Sequence, residues 1–267
     1  MIIDFHTHTY PEKIRIKAVS SMNSAKSNSM FSDGSIDGLL KNMDDAGFDI
    51  AVSLGLASAK SQTSVNDYAI SINSGRIVAF GSVHPDAPAV FEELHRLKEA
   101  GIKGLKFHPD FQGIIVDEDR MLKIYEKASS MGFISVFHTG KYLNTTSLYS
   151  ATPEIMSHIL DAFSAPVIAA HMGGNLMYSD SEKYLVGKNI FFDTSNSHRN
   201  LMTHEQLKRM VYDHGHDKIL FSTDSPWNSL SSERDYILSA GFEKEISDAI
   251  FFKNAQRILK LGEISNR

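Results

Sequence analysis

The sequence predicts one α/β domain over residues 1–267, a single (β/α)8 TIM barrel with a long loop after its first strand. Three observations carry that expectation. Short apolar, β-rich runs recur along the whole chain; helix-like segments with start and stop signals separate them; and the units together need roughly 250 residues, the size of such a barrel. A doubly wound open sheet is the competing arrangement of the same alternation.

The runs are Ile2–Phe5, Ile50–Leu54, Ile77–Val83, Gly104–Phe107, Phe133–Phe137, Val167–Ala170, Ile190–Phe192 and Ile219–Phe221. Between them, Ser35 is placed to cap a helix whose apolar positions Ile36, Leu39, Leu40 and Met43 share a face, with Gly47 as its stop. Val65, Tyr68, Ala69 and Ile72 repeat the pattern before Gly75, and Phe91, Leu94 and Leu97 before Gly101. Leu122, Tyr125 and Ala128 do so before Gly132. The beat breaks at Ser20 to Asp33, which is rich in Ser and Asn and weakly periodic. In a barrel this connection lies on the C-terminal face, where active sites form, so it is read as a long loop and a candidate lid.

Composition narrows the function. With 27 Lys plus Arg against 32 Asp plus Glu, the formal charge is −5, and no basic run marks a nucleic-acid or anionic-membrane surface. Hydrophobic residues at 42% and charged residues at 22% exclude wholesale disorder. The absence of cysteine excludes disulfides, thiolate metal sites and thiol nucleophiles, and it fits a reducing cytoplasm. Neither a signal-peptide pattern at Met1 nor an apolar run of ~18 residues is present. A cytoplasmic protein with a small-molecule substrate is expected, with no nucleic-acid or membrane partner.

The histidines point to chemistry. Of 12, six sit on or just past strand C-termini: His6, His8, His84, His108, His138 and His171. Alternation puts His6 and His8 on one face of the first strand, together with Asp4. Two imidazoles at that spacing can share one metal ion. In the run Ile219 to Trp227, Asp224 stands where apolar residues give way to a loop. A carboxylate buried there is costly unless paired, and a metal removes that cost. His6, His8, His138 and Asp224 therefore form a candidate ligand set, and His171 a base or acid beside it. His214 and His216, flanked by Asp213 and Asp217, precede the eighth strand and are read as a solvated turn on the opposite face. His158 with Asp161, His95 and His204 are read as helix-surface residues, and Trp227 as a pocket wall or ordinary packing.

In order along the chain, these motifs resemble the amidohydrolase superfamily, in particular the branch that includes aminocarboxymuconate-semialdehyde decarboxylase. The likeness runs from Asp4-Phe5-His6-Thr7-His8 through Gly104-Leu105-Lys106-Phe107-His108-Pro109 and Phe137-His138-Thr139-Gly140. It continues in Ala170-His171-Met172-Gly173-Gly174, Ser222-Thr223-Asp224-Ser225-Pro226-Trp227 and the tail Asn254-Ala255-Gln256-Arg257-Ile258-Leu259. The resemblance implies a distorted barrel holding a divalent ion, zinc before others, and one ion before two. It maps His6, His8, His138 and Asp224 onto metal ligands and His171 onto a residue that helps activate water or touches substrate. On strand 4, binuclear members carry a carbamylated Lys or a Glu. Here Lys106 is read as an ordinary ammonium, with His108 on the substrate side and a second metal left open. Family habit implies a homodimer.

Two cousins fit less well. PHP phosphoesterases run from the His-x-His strand almost directly into Ser-Asp-Gly, whereas Ser32-Asp33-Gly34 comes much later here. TatD-like nucleases prefer a Glu where this chain has Lys106. The leading expectation is a hydrolase that uses metal-activated water on a small amide, lactone or ester carrying a carboxylate, with Asp224 taking the water's proton. A non-oxidative decarboxylase, in which His171 protonates a ring carbon as CO2 leaves, uses the same ligands. A non-catalytic binding barrel is the third reading, and a cysteine-free, water-accessible set speaks against it.

Overall fold

The computed structural model describes residues 1–23, 30–142 and 146–262, the side chains of 20–23 aside. Its strands are β1 (Ile3–Thr7), β2 (Ile50–Leu54), β3 (Ile77–Phe80), β4 (Gly104–Phe107), β5 (Ile134–Phe137), β6 (Val167–Ala169), β7 (Phe191–Asp193) and β8 (Ile219–Leu220). The helices between and after them are α1 (Glu12–Asn23), α2 (Ile36–Ala46), α3 (Gln62–Ile72), α4 (Val90–Glu99), α5 (Pro109–Gln112) and α6 (Asp119–Ser130). They continue as α7 (Pro153–His158), α8 (Tyr178–Tyr184), α9 (His204–His214), α10 (Leu230–Ser239), α11 (Lys244–Asp248) and α12 (Asn254–Leu259). The chain divides into two compact units, one made of Met1–Ser53 with Asp193–Arg267, the other of Leu54–Phe192. No helix among the described residues is long and apolar enough to cross a membrane.

In the first unit β1 pairs in parallel with β2, with Ile3 opposite Ile50 and Thr7 opposite Ser53. Its other edge takes the β8 segment: Phe5 N donates to Phe221 O (2.9 Å), Asp224 N to His6 O (2.8 Å) and His8 N to Ser225 O (2.7 Å). Every residue of β1 is buried, as expected of a parallel strand covered on both faces. α2 forms as read: Ser35 Oγ accepts from Gly38 N at 2.9 Å, Leu39 and Met43 are buried, and Gly47 stops the helix at φ 75°. Near the chain's end, Asn254 Nδ2 donates to His216 O and Ile219 O, both at 2.8 Å, which fixes the start of β8.

In the second unit β4, β5, β6 and β7 pair in parallel and in sequence order. Gly81 N bonds to Gly104 O at 3.0 Å and Lys106 N to Gly81 O at 2.8 Å, which adds the end of β3. Gly104 is required there, because a Cβ at that position would lie 2.2 Å from the Phe80 ring. Aromatic packing fills this core: Phe107 and Phe137 stack with centroids 5.0 Å apart, and Tyr125 meets both edge-on at 5.2 Å.

Two expectations are corrected. The irregular segment does not begin at Ser20, since α1 starts just after Pro11 and continues to Asn23. Residues 24–29 of the expected loop and lid lie outside the described residues. His214 is not in a solvated turn. It is 2% exposed and closes the buried face of α9, following Leu207, Met210 and Val211 at helical spacing. The turn reading followed from position just before the eighth strand, whereas α9 runs on to His214 itself.

Candidate metal centre and active site

The two units each carry part of the expected site. In the first, β1 delivers Asp4 and His6, and the chain just beyond it delivers His8. All three are buried, at 0%, 1% and 8% exposure. Asp4 turns to the start of the β8 loop: it accepts from Thr223 Oγ1 (2.6 Å), Thr223 N (3.0 Å) and His6 N (3.2 Å). Burial pushes its carboxyl up to about 7, against the pull of these hydrogen bonds.

His6 is oriented from behind. Its Nδ1 lies 2.8 Å from Asp193 Oδ2 at the end of β7, and Asp193 Oδ1 accepts from Ser195 N (3.1 Å) and Ser195 Oγ. An ionised carboxylate only accepts, so the imidazole proton stays on Nδ1 and Nε2 presents a lone pair. That Nε2 is 3.2 Å from His8 Nε2 and 3.6 Å from Asp224 Oδ1, and His8 Nε2 is 3.4 Å from the same oxygen. These separations match a tetrahedral site: ligand atoms held ~2.05 Å from zinc stand ~3.3 Å apart. Two imidazoles and a carboxylate also suit zinc or manganese as a donor set. We expect Asp193→Ala to weaken zinc binding about 10–100-fold, as loss of an outer partner does. Competition against a chromophoric chelator checks this; parent-like affinity would show that His6 needs no partner.

The β8 loop closes this side. Asp224 sits at φ 64° and its Oδ2 accepts from Asn196 Nδ2 at 3.0 Å. The Trp227 ring lies 5.1 Å from that of His8, and Trp227 also walls a cavity of about 210 Å³ with Phe31, Arg199, Asn228 and Glu233. Trp227 is thus both packing and pocket wall.

In the second unit, the ends of β4, β5 and β6 bring His108, His138 and His171 together. His171 Nε2 is 3.0 Å from His138 Nδ1, and the rings of His108 and His138 stack with centroids 4.0 Å apart. Lys106 is buried in β4 at 1% exposure. His84 is structural: Nε2 donates to Gln112 O at 2.9 Å and Nδ1 accepts from Asp86 N at 3.1 Å.

Of the expected site residues, His6, His8 and Asp224 converge in one unit, and His138, His171, His108 and Lys106 stand at the strand ends of the other. Sequence reasoning missed Asp193, Asn196 and Asn228. Asp193 carried a usable signal, a carboxylate closing the Phe191-Phe192 run at a strand's C-terminal end.

Among solved structures, the chain is similar to an uncharacterised TIM-barrel protein from Bordetella bronchiseptica, with 18% identity, 97% and 98% of the two chains covered and a TM-score of 0.77. It is also similar to a dihydroxybenzoic acid decarboxylase from Polaromonas with bound manganese, at 16% identity, 97% coverage of both chains and a TM-score of 0.71. A probable 2-pyrone-4,6-dicarboxylic acid hydrolase from Acinetobacter baumannii shows 15% identity, 97% and 99% coverage and a TM-score of 0.67. No curated protein matches the chain. These likenesses show the fold class, an α/β TIM barrel. The family model for amidohydrolases matches residues 3–261, and the chain belongs to that family of metal-dependent enzymes.

Proposed function

We propose that this enzyme hydrolyses a small amide, lactone or ester that carries a carboxylate, with zinc held by His6, His8 and Asp224. The observation that supports the reading is the mutual spacing of three donor atoms, 3.2, 3.4 and 3.6 Å, which suits one small tetrahedral cation. A divalent ion held there would supply a water of pKa near ~7 and a Lewis acid for a carbonyl oxygen. Asp193 keeps the His6 lone pair aimed; Asp224 contributes the negative charge and receives the nucleophile's proton. In the second unit, His171, Lys106 and His108 are the residues to which we assign contact with substrate.

A second reading, non-oxidative decarboxylation on the same ligands, draws support from the decarboxylases that share this fold. One experiment addresses both. Protein purified without chelator is analysed for metal by plasma mass spectrometry. It is then assayed on carboxylate-bearing lactones, esters and amides for proton release, and on aromatic acids for CO2 release. We expect one ion per chain and proton release. Two ions would promote Lys106 or His108 to ligands. CO2 release alone would replace the hydrolase reading, and no metal uptake would overturn both.

A further inference from the structure

We propose that Asn196 is a positioning residue, held by Asn228 and Arg199, which turns Oδ1 of Asp224 toward His6 and His8. The proposal rests on the metal reading above and concerns how the Asp224 carboxylate is oriented.

Arg199 Nη1 donates to Trp227 O at 3.0 Å and to Asn228 Oδ1 at 3.2 Å. A guanidinium has no acceptor, so Asn228 must present its oxygen there. Its Nδ2 then points the other way, to Thr223 O at 2.6 Å and Asn196 Oδ1 at 2.7 Å. A main-chain carbonyl only accepts, which confirms the same orientation from the opposite end. With its oxygen engaged, Asn196 has only its amide N–H to offer Asp224, and it donates to Oδ2 at 3.0 Å. Both amide orientations are therefore dictated by partners that can play one role each.

Asn196 and Asn228 are 2% and 4% exposed, so solvent is a poor substitute for either contact. Asn196 adopts φ 63°, a left-handed conformation that asparagine tolerates better than most residues. The result at Asp224 is asymmetric. Oδ2 carries the amide, and Oδ1 is left 3.4 and 3.6 Å from the two histidine Nε2 atoms. Swinging the carboxylate out of this orientation would pull its oxygen off the Asn196 amide, so the relay holds the carboxylate in one setting.

The test measures binding of Zn2+ and the visible absorption of the Co2+ form. Asn196→Gly keeps the left-handed backbone without strain and removes the amide. We expect it to weaken Zn2+ binding about 10–100-fold and to change the Co2+ spectrum. Asn228→Ala should shift both readouts in the same direction. The double variant should bind no more weakly than Asn196→Gly, because the relay is already cut. Should Asn196→Gly fail to fold, the affinity and spectrum of Asn228→Ala decide. Parent-like affinity with a parent-like spectrum, or losses that simply add, would overturn the proposal. Failure of the parent chain to take up either ion would overturn the metal reading itself, and the proposal with it.

Discussion

Asp224→Asn lowers zinc affinity more than the ~10–100-fold expected for loss of an outer partner, and it lowers turnover by about 10²–10⁴-fold. The substitution keeps the size of the side chain, and asparagine tolerates the φ of 64° at this position. The main-chain bond from residue 224 to His6 O is untouched. What changes is decided by Asn196. Its Nδ2 demands an acceptor, so the new amide must set its oxygen there and its NH2 toward His6 and His8. An NH2 group has no lone pair for a metal, so both the charge and the ligand are lost. Metal titration and turnover, beside thermal unfolding of the metal-free chain, make the check. Unfolding should be unchanged; retained zinc affinity would remove Asp224 from the ligand set.

Glu233→Gln flattens the dependence of stability on pH. Glu233 is 1% exposed, its Oε2 accepts from His198 N at 3.3 Å, and its Oε1 has no hydrogen-bond partner. Burial pushes its carboxyl from 4.5 up to about 8, and the charges of Asp224 and Asp4 add to the rise. Between those two values the folded chain keeps the proton while the unfolded chain has lost it. Stability from this group is therefore full below pH ~4.5, falls as pH rises, and is gone above pH ~8. The drop is on the order of 5 kcal/mol at about 1.4 kcal/mol per pH unit. Gln keeps the shape and cannot ionise. Urea unfolding between pH 5 and 9 should show a shallower fall for the variant and a more stable variant at pH 9. Equal slopes would mean that Glu233 ionises without penalty.

The barrel was legible because each layer of the argument agreed. Ile50–Leu54 and Gly104–Phe107 match β2 and β4 residue for residue, and Ser35 and Gly47 bound α2 as capping chemistry requires. Apolar runs and cap residues are local signals, readable one segment at a time. The placement of His6, His8 and Asp224 was legible for a related reason, since polar residues closing apolar strands have few places to go. Asn196 and Asn228 were not legible. An asparagine in a loop reads as a turn residue, and its role here depends on partners 28 and 32 residues away. The Asp193 contact to His6 spans 187 residues, and no window of sequence contains both ends. His214 reads as a turn residue from its position just before the eighth strand, whereas its helical spacing from Leu207, Met210 and Val211 carries it into the buried face of α9.

That last span has a consequence for synthesis. The unit that carries His6, His8 and Asp224 is built from Met1–Ser53 and Asp193–Arg267, with the whole of Leu54–Phe192 made in between. At roughly 5–20 residues per second, His6 and His8 wait some ten to forty seconds for Asp193 to leave the ribosome, and longer for Asp224. During that interval β1 has no β8 segment to pair with, and its histidines have neither Asp193 nor Asp224 beside them. A nascent chain stalled before Asp193 should thus hold no zinc, whatever the intermediate unit has managed to fold.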